Sequence, residues 1–462
     1  MLTYDLDRRG KLARYDYLYR CIREDILAGR LTAGEKLPSK RSLASHLQTA
    51  VITVQNAYAQ LEAEGYLYTR EKRGYYVADV ERHPAAPGRA PARSAPQPQR
   101  SWLLDLSSGG SGTEDFPFSV WAKLMRRVLS EEGEALLRAT PPNGADALRR
   151  AIAQHLYRFR GISAAPEQIV VGAGTEYLYN LIVQLLGREA VYGVEDPGYS
   201  KAARIYALGG ARTSPVLVDE GGVSLRSLEM SGAQILHTSP NHQFPTGAVT
   251  PIGRRQSLLR WAEAREGRYI IEDDYDSEFR FTLRPIPTLQ SIDHAGRVIY
   301  VNTFSRTLAP SLRISYMVLP KSLTERYRAQ LGFYSSTVPA MEQHTLARFL
   351  DEGYFEAHIN RMRKSYRAQR DAVIDTILQS PLGEHCRVSG EDAGLHFLLT
   401  IDTKCTDHVL RADAEGRGVR LSFLSDFALR PGSAPQHTLV IHYPGIDLGR
   451  LRSALSILEA LL

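Results

Sequence analysis

Hydroxyl and guanidinium side chains are concentrated at one point of the sequence, directly after an apolar run. Residues 297–301 predict the end of a buried strand, and Thr303, Ser305, Arg306 and Arg313 follow it. Hydroxyls and the fork of guanidinium N–H groups suit phosphate or carboxylate oxygens. A guanidinium stays protonated and delocalised, so Arg306 cannot attack a carbonyl as a lysine amine can. The segment therefore predicts an anion pocket without an amine nucleophile.

Polar loops follow four further predicted strands in the same part of the chain. The five strands are predicted at residues 168–171, 190–194, 234–237, 268–271 and 297–301. Their alternation with helical patterns is typical of an α/β fold with a mainly parallel sheet. Ligands of such sheets bind beyond the carboxyl ends of the strands. The loops should therefore converge on one site, to which they bring Gly174, Thr175, Tyr199, Asp273 and Tyr275.

The first eighty residues show a different pattern, with three short helices followed by a β-hairpin. Apolar residues recur at helical spacing from Tyr15 to Ile26, Pro38-Ser39 offers a cap for a second helix, and a third helix ends at Gly65. This order predicts a winged helix-turn-helix, whose third helix enters the DNA major groove. Predicted DNA contacts are Thr53, Asn56 and Gln60 on that helix, and Lys40, Arg41, Arg70, Lys72 and Arg73 on phosphates.

The charge distribution supports the same assignment. Residues 1–100 contain 17 Lys plus Arg and 11 Asp plus Glu, and the totals of 57 and 51 leave 40 of each for the rest. The whole formal excess of six positive charges therefore lies in the first hundred residues. A basic unit is what binding to a phosphate backbone requires.

Composition divides the chain and excludes several classes of protein. We expect a DNA-binding domain at 1–80, a Pro/Arg-rich linker at 81–101, and an α/β domain at 102–462, since residues 82–100 contain five prolines, four arginines and no acidic residue. Cys21, Cys386 and Cys405 are far apart, which indicates neither a disulfide framework nor a metal site. No run of eighteen apolar residues and no signal peptide is present, so we expect a cytoplasmic protein without a membrane partner.

Both units resemble known families. The phrase Gly34-Glu-Lys-Leu-Pro-Ser-Lys-Arg-Ser-Leu-Ala44, with Thr53-Val54 and Ala57-Tyr58 after it, resembles the GntR family of bacterial transcription regulators. The five loops, in their order, resemble the pocket of fold-type-I aminotransferases. Together they resemble the MocR or GabR-like subfamily. That resemblance implies a PLP-dependent transferase-like domain with a smaller C-terminal subdomain, an amino-acid-like or vitamin B6-like effector, a double-stranded DNA operator and a head-to-tail homodimer.

The resemblance assigns roles within the pocket. It implies that Gly174, Thr175, Thr303, Ser305 and Arg313 hold the phosphate of pyridoxal phosphate (PLP). Tyr199 would stack on the pyridine ring, Asp273 would pair with its nitrogen, and Tyr275 would meet its hydroxyl.

Three departures from the families matter. Arg306 stands at the position of the Schiff-base lysine. No arginine lies in the segment Leu439–Pro444, where related sequences often have one that binds a substrate carboxylate, and His442 is the nearest polar candidate. Ala50-Val51 replace the Ser-Arg pair that usually precedes the third helix. We therefore predict a regulator that binds PLP, a vitamer or another small metabolite non-covalently, without catalysis. Two alternatives stay open: an active aminotransferase with an accessory DNA-binding domain, in which Lys201 could be a displaced amine, and a regulator with a vestigial pocket.

Overall fold

A computed structural model describes residues 2–10, 12–71, 73–80, 102–107, 116–281 and 286–461. The chain divides into two compact units, residues 1–99 and 100–462. The predicted linker at 81–101 and the predicted DNA contact Lys72 lie outside the described residues.

The N-terminal unit is a winged helix-turn-helix, as predicted. Its elements are α1 (Arg14–Leu27), α2 (Lys40–His46), α3 (Val51–Ala63), β1 (Leu67–Arg70) and β2 (Gly74–Val77). The two strands pair antiparallel to form the wing. Apolar residues at helical spacing meet in one core, which includes Leu18, Ile22, Leu43, Val54, Ala57, Tyr58 and Leu61. Burial of these stripes, rather than helix propensity alone, stabilises such short helices.

The two helices of the helix-turn-helix begin differently. The Oγ of Ser39 accepts a hydrogen bond from the backbone N–H of Ser42, 3.2 Å away, and so caps α2. Ala50 occupies the same position before α3, and no side chain caps that helix. The first backbone N–H groups of α3 therefore lack this partner.

Replacing Ala50 with serine is expected to stabilise the N-terminal unit. Ala50 already has the extended backbone of an N-cap residue, with φ −71° and ψ 144°. The new hydroxyl should raise the free energy of unfolding by about 1 kcal/mol. Denaturant unfolding followed by circular dichroism measures this, and Ser39→Ala is the matched control, with a loss of similar size. No gain from Ala50→Ser alongside a clear loss from Ser39→Ala would contradict the prediction.

The second unit is an α/β fold. Its helices are α4 (Phe118–Glu132), α5 (Asp146–Arg160), α6 (Thr175–Leu186), α7 (Ser200–Leu208), α8 (Leu225–Met230), α9 (Ile252–Glu263), α10 (Lys321–Leu331), α11 (Ala340–Asp351), α12 (Tyr354–Leu378), α13 (Asp407–Gly416) and α14 (Leu448–Glu459). Its strands are β3 (Leu104–Asp105), β4 (Ile169–Gly172), β5 (Val191–Asp196), β6 (Arg212–Asp219), β7 (Gly222–Val223), β8 (Ile235–Thr238), β9 (Tyr269–Asp273), β10 (Val298–Thr303), β11 (Ser315–Val318), β12 (Cys386–Ser389), β13 (His396–Ile401), β14 (Val419–Arg420) and β15 (Thr438–His442).

A mainly parallel sheet of eight strands forms the centre of this unit. The strand order is β4-β11-β10-β9-β8-β5-β6-β7. The pairs from β10 through β9, β8 and β5 to β6 are parallel, whereas β11 is antiparallel to both β10 and β4. All five strands predicted from the sequence are present, and β6, β7 and β11 are additions to them. The parallel arrangement brings the carboxyl ends of β5, β8, β9 and β10 to one edge.

A smaller C-terminal layer accompanies the large sheet. It contains the antiparallel sheet β12-β13-β15 and the long helix α12, and β3 pairs with β14. Strands β13 and β15 bring His396 and His442 opposite each other in register. Among the described residues, no helix is both long and apolar enough to cross a membrane.

Candidate functional site

A cavity of about 320 Å³ lies at the carboxyl edge of the large sheet. The structure brings together all nine pocket residues predicted from the sequence, which are Gly174, Thr175, Tyr199, Asp273, Tyr275, Thr303, Ser305, Arg306 and Arg313. Six further residues line the cavity. Lys201 was considered from the sequence only as a displaced amine, and five were not singled out, which are Glu176, Tyr179, Ser239, Phe244 and Pro310.

Asp273 is the last residue of β9, and only one of its two carboxylate oxygens has a hydrogen-bond partner. Its side chain is 6% exposed. The hydroxyl of Tyr179 donates to Oδ2 at 2.5 Å, and His237 Nε2 lies 3.4 Å from the same oxygen. Oδ1 is buried and has no hydrogen-bond partner among the described residues. Since leaving a buried acceptor unpaired costs about 1–3 kcal/mol, Oδ1 is suited to accept a hydrogen bond from a ligand.

Tyr179 and His237, the two neighbours of Asp273, are themselves buried and have further contacts. Tyr179 belongs to α6, and burial followed by the charge of Asp273 raises the pKa of its hydroxyl well above its usual value. The hydroxyl therefore stays protonated and remains a donor to Asp273. Tyr206 in turn bonds to Nδ1 of His237 at 2.6 Å, which orients the imidazole beside the carboxylate.

The wall of the cavity beside α6 consists of small residues and one arginine. We call this group the cup, and its members are Gly174, Thr175, Thr303, Ser305 and Arg313. Gly174 has φ +92°, and a Cβ added there would lie 2.3 Å from Nη2 of Arg313. The Oγ1 of Thr303 accepts from the backbone N–H of Ser305 at 3.1 Å and from the Ser315 hydroxyl at 2.8 Å. The Oγ of Ser305 is buried without a partner among the described residues. Together with the N-terminus of α6, this geometry suits an anion such as a phosphate.

One carboxylate neutralises part of the cup. Glu176 forms ion pairs with Arg313 and, at 2.7 Å, with the Nζ of Lys201. The hydrogen bond from Lys201 is the main cause that lowers the pKa of Glu176. Lys201 is thus a protonated partner of Glu176 and not a free amine, and an anionic ligand would compete with Glu176 for Arg313.

Two aromatic side chains lie across the cavity from the cup. Tyr199 precedes α7 and is 39% exposed, and its ring meets Phe244 edge to face with centroids 6.3 Å apart. The hydroxyl of Tyr275 lies 3.1 Å from Nδ1 of His242, which also contacts Asp276 at 2.9 Å. Burial raises the pKa of the Tyr275 hydroxyl well above its usual value, so it stays protonated.

Arg306 is exposed and has no hydrogen bond or ion pair to another described residue. Its charge acts on two buried imidazoles of the C-terminal layer. Burial, followed by the charge of Arg306, lowers the pKa of His442 from 6.5 to about 4. Burial also lowers the pKa of His396 well below its usual value. The charges of His242, His442 and Arg306 lower it further.

The stability of the second unit should depend on pH through His442. Because its folded pKa of about 4 is below the unfolded value of 6.5, the unfolded chain takes up a proton first as the pH falls. His442 therefore has no effect above pH 6.5 and destabilises the fold progressively between 6.5 and 4, by roughly 3 kcal/mol in all.

Replacing His442 with glutamine is expected to remove that pH dependence. Relative to wild type, the variant should gain stability progressively as the pH falls from 7 to 4, measured by urea unfolding at each pH. The exposed His408, replaced by glutamine, is the control. Parallel pH profiles for wild type and His442→Gln would show that the imidazole is not held neutral.

The predicted DNA contacts lie on three elements of the N-terminal unit. Four of these side chains are exposed, which are Arg41 on α2, Asn56 on α3, and Arg70 and Arg73 around the wing. Three are half-buried, which are Lys40, Thr53 and Gln60. Arg70 lies over the rings of Tyr68 and Tyr76, 5.5 and 4.9 Å from their centroids. Gln60 donates to Glu64 at 3.1 Å, which engages it within the helix. The contacts to DNA stay predictions.

Two family models match the chain. "Bacterial regulatory proteins, gntR family" matches residues 14–77, and "Aminotransferase class I and II" matches residues 103–410. The first model implies DNA binding by the N-terminal unit.

Relatives match along nearly the whole length. The HTH-type transcriptional regulator YdeL of Bacillus subtilis is 37% identical, covering 99% of both chains. The probable rhizopine catabolism regulatory protein MocR of Rhizobium meliloti is 34% identical over 98% of this chain and 95% of its own. The pyridoxine biosynthesis transcriptional regulator PdxR of Corynebacterium glutamicum is 33% identical over 94% and 93%.

Solved aminotransferases share the fold of the second unit. Kynurenine aminotransferase of Pyrococcus horikoshii has a TM-score of 0.69 at 22% identity, covering 79% of this chain and 92% of that one. LysN, the α-aminoadipate aminotransferase of Thermus thermophilus, has a TM-score of 0.66 at 27% identity, covering 78% and 93%. With a GntR-type DNA-binding unit, an aminotransferase-fold unit and full-length relatives named as regulators, the chain belongs to the MocR/GabR-like transcription regulators of the GntR family.

Proposed function

We propose that this regulator is a cytoplasmic receptor that binds PLP or a related vitamer non-covalently and changes its affinity for operator DNA in response. The observation that carries the proposal is a pocket with two buried, unpartnered polar atoms and a guanidinium in place of an amine. These atoms are Oδ1 of Asp273 and Oγ of Ser305.

The residues present fit PLP. Asp273 Oδ1 would accept a hydrogen bond from the protonated pyridine nitrogen. The ring of Tyr199 would cover the pyridine face. The cup around Arg313 and Ser305 would hold the phosphate, with Gly174 leaving room for the guanidinium. When bound, PLP supplies an aldehyde and an electron-withdrawing ring; the chain's own residues bind and orient it.

Arg306 makes catalysis by this pocket implausible on chemical grounds. Transamination needs a group that attacks the cofactor carbonyl and then moves protons, and a permanently charged guanidinium does neither. Arg306 can instead donate to a carboxylate or aldehyde oxygen. No described carboxylate pairs with it, so an anionic group of the ligand would be its partner. We therefore propose that the second unit is catalytically inactive.

The name of one relative supports the class of effector. PdxR is named as a regulator of pyridoxine biosynthesis. An effector of the vitamin B6 type would carry both the phosphate and the aromatic ring that the cup and Tyr199 suit. An amino-acid-like effector would use the free Arg306 for its carboxylate.

A vestigial pocket is the second candidate, and the buried polar atoms count against it. Each unpaired buried polar atom costs about 1–3 kcal/mol, and apolar substitutions would remove that cost in a pocket without a ligand. Asp273 is also supported from two sides, since Tyr179 donates a hydrogen bond to it and His237 Nε2 lies 3.4 Å from the same oxygen.

We also propose the head-to-tail homodimer. Large apolar side chains on and just after α4 are exposed, with Phe118 at 70%, Leu129 at 46% and Leu137 at 79%. A second copy would remove such surface from water. Light scattering should therefore give about twice the chain mass of 51.6 kDa.

Titration of the purified full-length protein with PLP and its vitamers tests the ligand. We expect PLP to raise the melting temperature, borohydride treatment of the complex to add no covalent mass, and amino and keto acids to stay unchanged. Asp273→Asn, nearly identical in shape, should lose most of the thermal shift. A covalent adduct on wild type, turnover, or the absence of any shift would each overturn the proposal.

A further inference from the structure

The exposed face of α3 carries aliphatic side chains where a solvated helix would carry charges. Val51 is 43% exposed and Ile52 is 58% exposed, whereas Val54, Ala57 and Leu61 on the opposite face are fully buried. Ile52 is the most exposed large apolar side chain among the described residues of this unit. Residues 51–61 contain no Asp, Glu, Lys or Arg.

The exposed residues of α3 lie next to one another on the helix surface. Residues three and four apart are neighbours on a helix surface, so Ile52, Gln55, Asn56 and Ala59 form one stripe. All four are exposed. Val51 lies four residues before Gln55 and so adjoins this stripe. Together they offer two aliphatic side chains, Val51 and Ile52, at the start of the helix and two amides one turn later. Surface helices normally carry charged residues on their outer face, so an uncharged outer face indicates a surface that another molecule covers.

The chemistry of the stripe matches base edges better than phosphates. Thymine alone presents a methyl group in the major groove, and aliphatic side chains contact it, whereas amides pair with adenine. Arginine at a helix start typically reads guanine, and the chain has Ala50-Val51 in place of the Ser-Arg of the family. The basic residues Lys40, Arg41 and Arg73 lie on neighbouring elements and suit the phosphates on either side.

We propose that Val51 and Ile52 determine operator specificity by contacting thymine C5-methyl groups, with Gln55 and Asn56 reading the next base pairs. This inference rests on the proposed DNA-regulator function and names the bases that it reads. Ile52 is the major contact because it is the more exposed of the two. The operator half-site is therefore rich in A·T pairs at the positions beneath the start of α3.

The experiment begins with selection of duplexes from a random-sequence pool by the full-length protein. The best duplex is then prepared with each thymine replaced in turn by deoxyuridine, which lacks only the C5-methyl group. Fluorescence anisotropy gives the dissociation constant for wild type and for Ile52→Ala. Leu27→Ala, which truncates an aliphatic side chain 39% exposed at the end of α1, is the matched control.

We expect deoxyuridine at one or two positions in each half-site to weaken wild-type binding about fourfold per methyl group. Ile52→Ala should weaken binding to the thymine duplex by a similar factor and be insensitive to deoxyuridine at its own position. Leu27→Ala should behave as wild type. Circular dichroism of each variant establishes that it is folded.

Two failures are distinguishable. If deoxyuridine at every thymine leaves wild-type affinity unchanged, or if Ile52→Ala responds to deoxyuridine as wild type does, the methyl contact is wrong while DNA recognition stands. A selection that enriches no duplex at moderate ionic strength contradicts the DNA-regulator function itself, and the stripe is then a protein-binding surface.

Discussion

Arg306→Lys is expected to form a covalent bond to PLP that the wild-type protein does not form. Position 306 lines the cavity directly after β10, beside the cup residues Thr303 and Ser305. A lysine there has an amine that can lose its proton and attack the PLP aldehyde, whereas a guanidinium cannot. Borohydride reduction followed by intact mass measurement should give nearly complete addition of one PLP-derived group in the variant and none in wild type.

Two controls make that result specific. Arg306→Gln, which lacks both the charge and the amine, should show no adduct. Lys201→Met, made in the Arg306→Lys background, should leave the adduct in place, because Lys201 is held as a cation by Glu176. An adduct that disappears with Lys201, or one that forms in wild type, would show that the reactive amine lies elsewhere in the pocket.

Gly174→Ala is expected to weaken PLP binding by about tenfold or more. The new Cβ would lie 2.3 Å from Nη2 of Arg313, so the guanidinium must leave its position in the cup. A hydrogen bond between charged groups contributes about 1.5–3 kcal/mol, which corresponds to a factor of ten or more in affinity. Isothermal titration of the purified variant with PLP measures the loss.

Gly187→Ala provides the matched control for backbone strain. The two glycines lie at opposite ends of α6, with φ +92° at Gly174 and +104° at Gly187, but nothing lies within 4 Å of a Cβ at Gly187. Both variants should therefore lose about 1 kcal/mol of stability from the positive φ, and only Gly174→Ala should lose affinity. Equal affinities for the two variants would show that Arg313 does not hold the ligand.

Residues at strand ends could be predicted from the sequence. Asp273 and Thr303 each end a strand, and Ser305 follows directly, so an apolar run followed by a polar residue was enough to find them. Parallel strands then bring their carboxyl ends together without further information. The α/β class and the winged helix-turn-helix were predicted for the same reason, since each element has its own local pattern. The fold-type-I family was predicted from the resemblance of the five loops.

Side chains that reach the pocket from elsewhere were not found. Tyr179 lies one turn beyond Thr175 on α6, and that spacing was the available signal for it. Phe244 lines the cavity, and His396 packs against it with ring centroids 5.3 Å apart. His396 belongs to β13, more than a hundred residues further along the chain, and only the tertiary fold brings the two together. Strands β6, β7 and β11 were also not predicted. β7 and β11 have only two and four residues, which is too short for a clear alternating pattern, and Pro215 within β6 counts against a strand.

The exposure of Ile52 could not be predicted from the sequence pattern of the N-terminal unit. The sequence indicated that Ala50-Val51 replace a Ser-Arg pair before Thr53, but it did not show whether Val51 and the next residue, Ile52, lie on the buried or the exposed face of the helix. Only the packing of α1 and α2 against α3 determines which face is covered. The inference about thymine methyl groups therefore needed the structure.

The most direct test of the central claim is the dissociation constant of the full-length protein for its selected duplex, measured by anisotropy with and without saturating PLP. If the second unit is a receptor that controls the DNA-binding unit, PLP should change this constant at least about fivefold in wild type. Asp273→Asn should show no change. Identical constants for wild type at zero and saturating PLP, with PLP bound, would contradict the account.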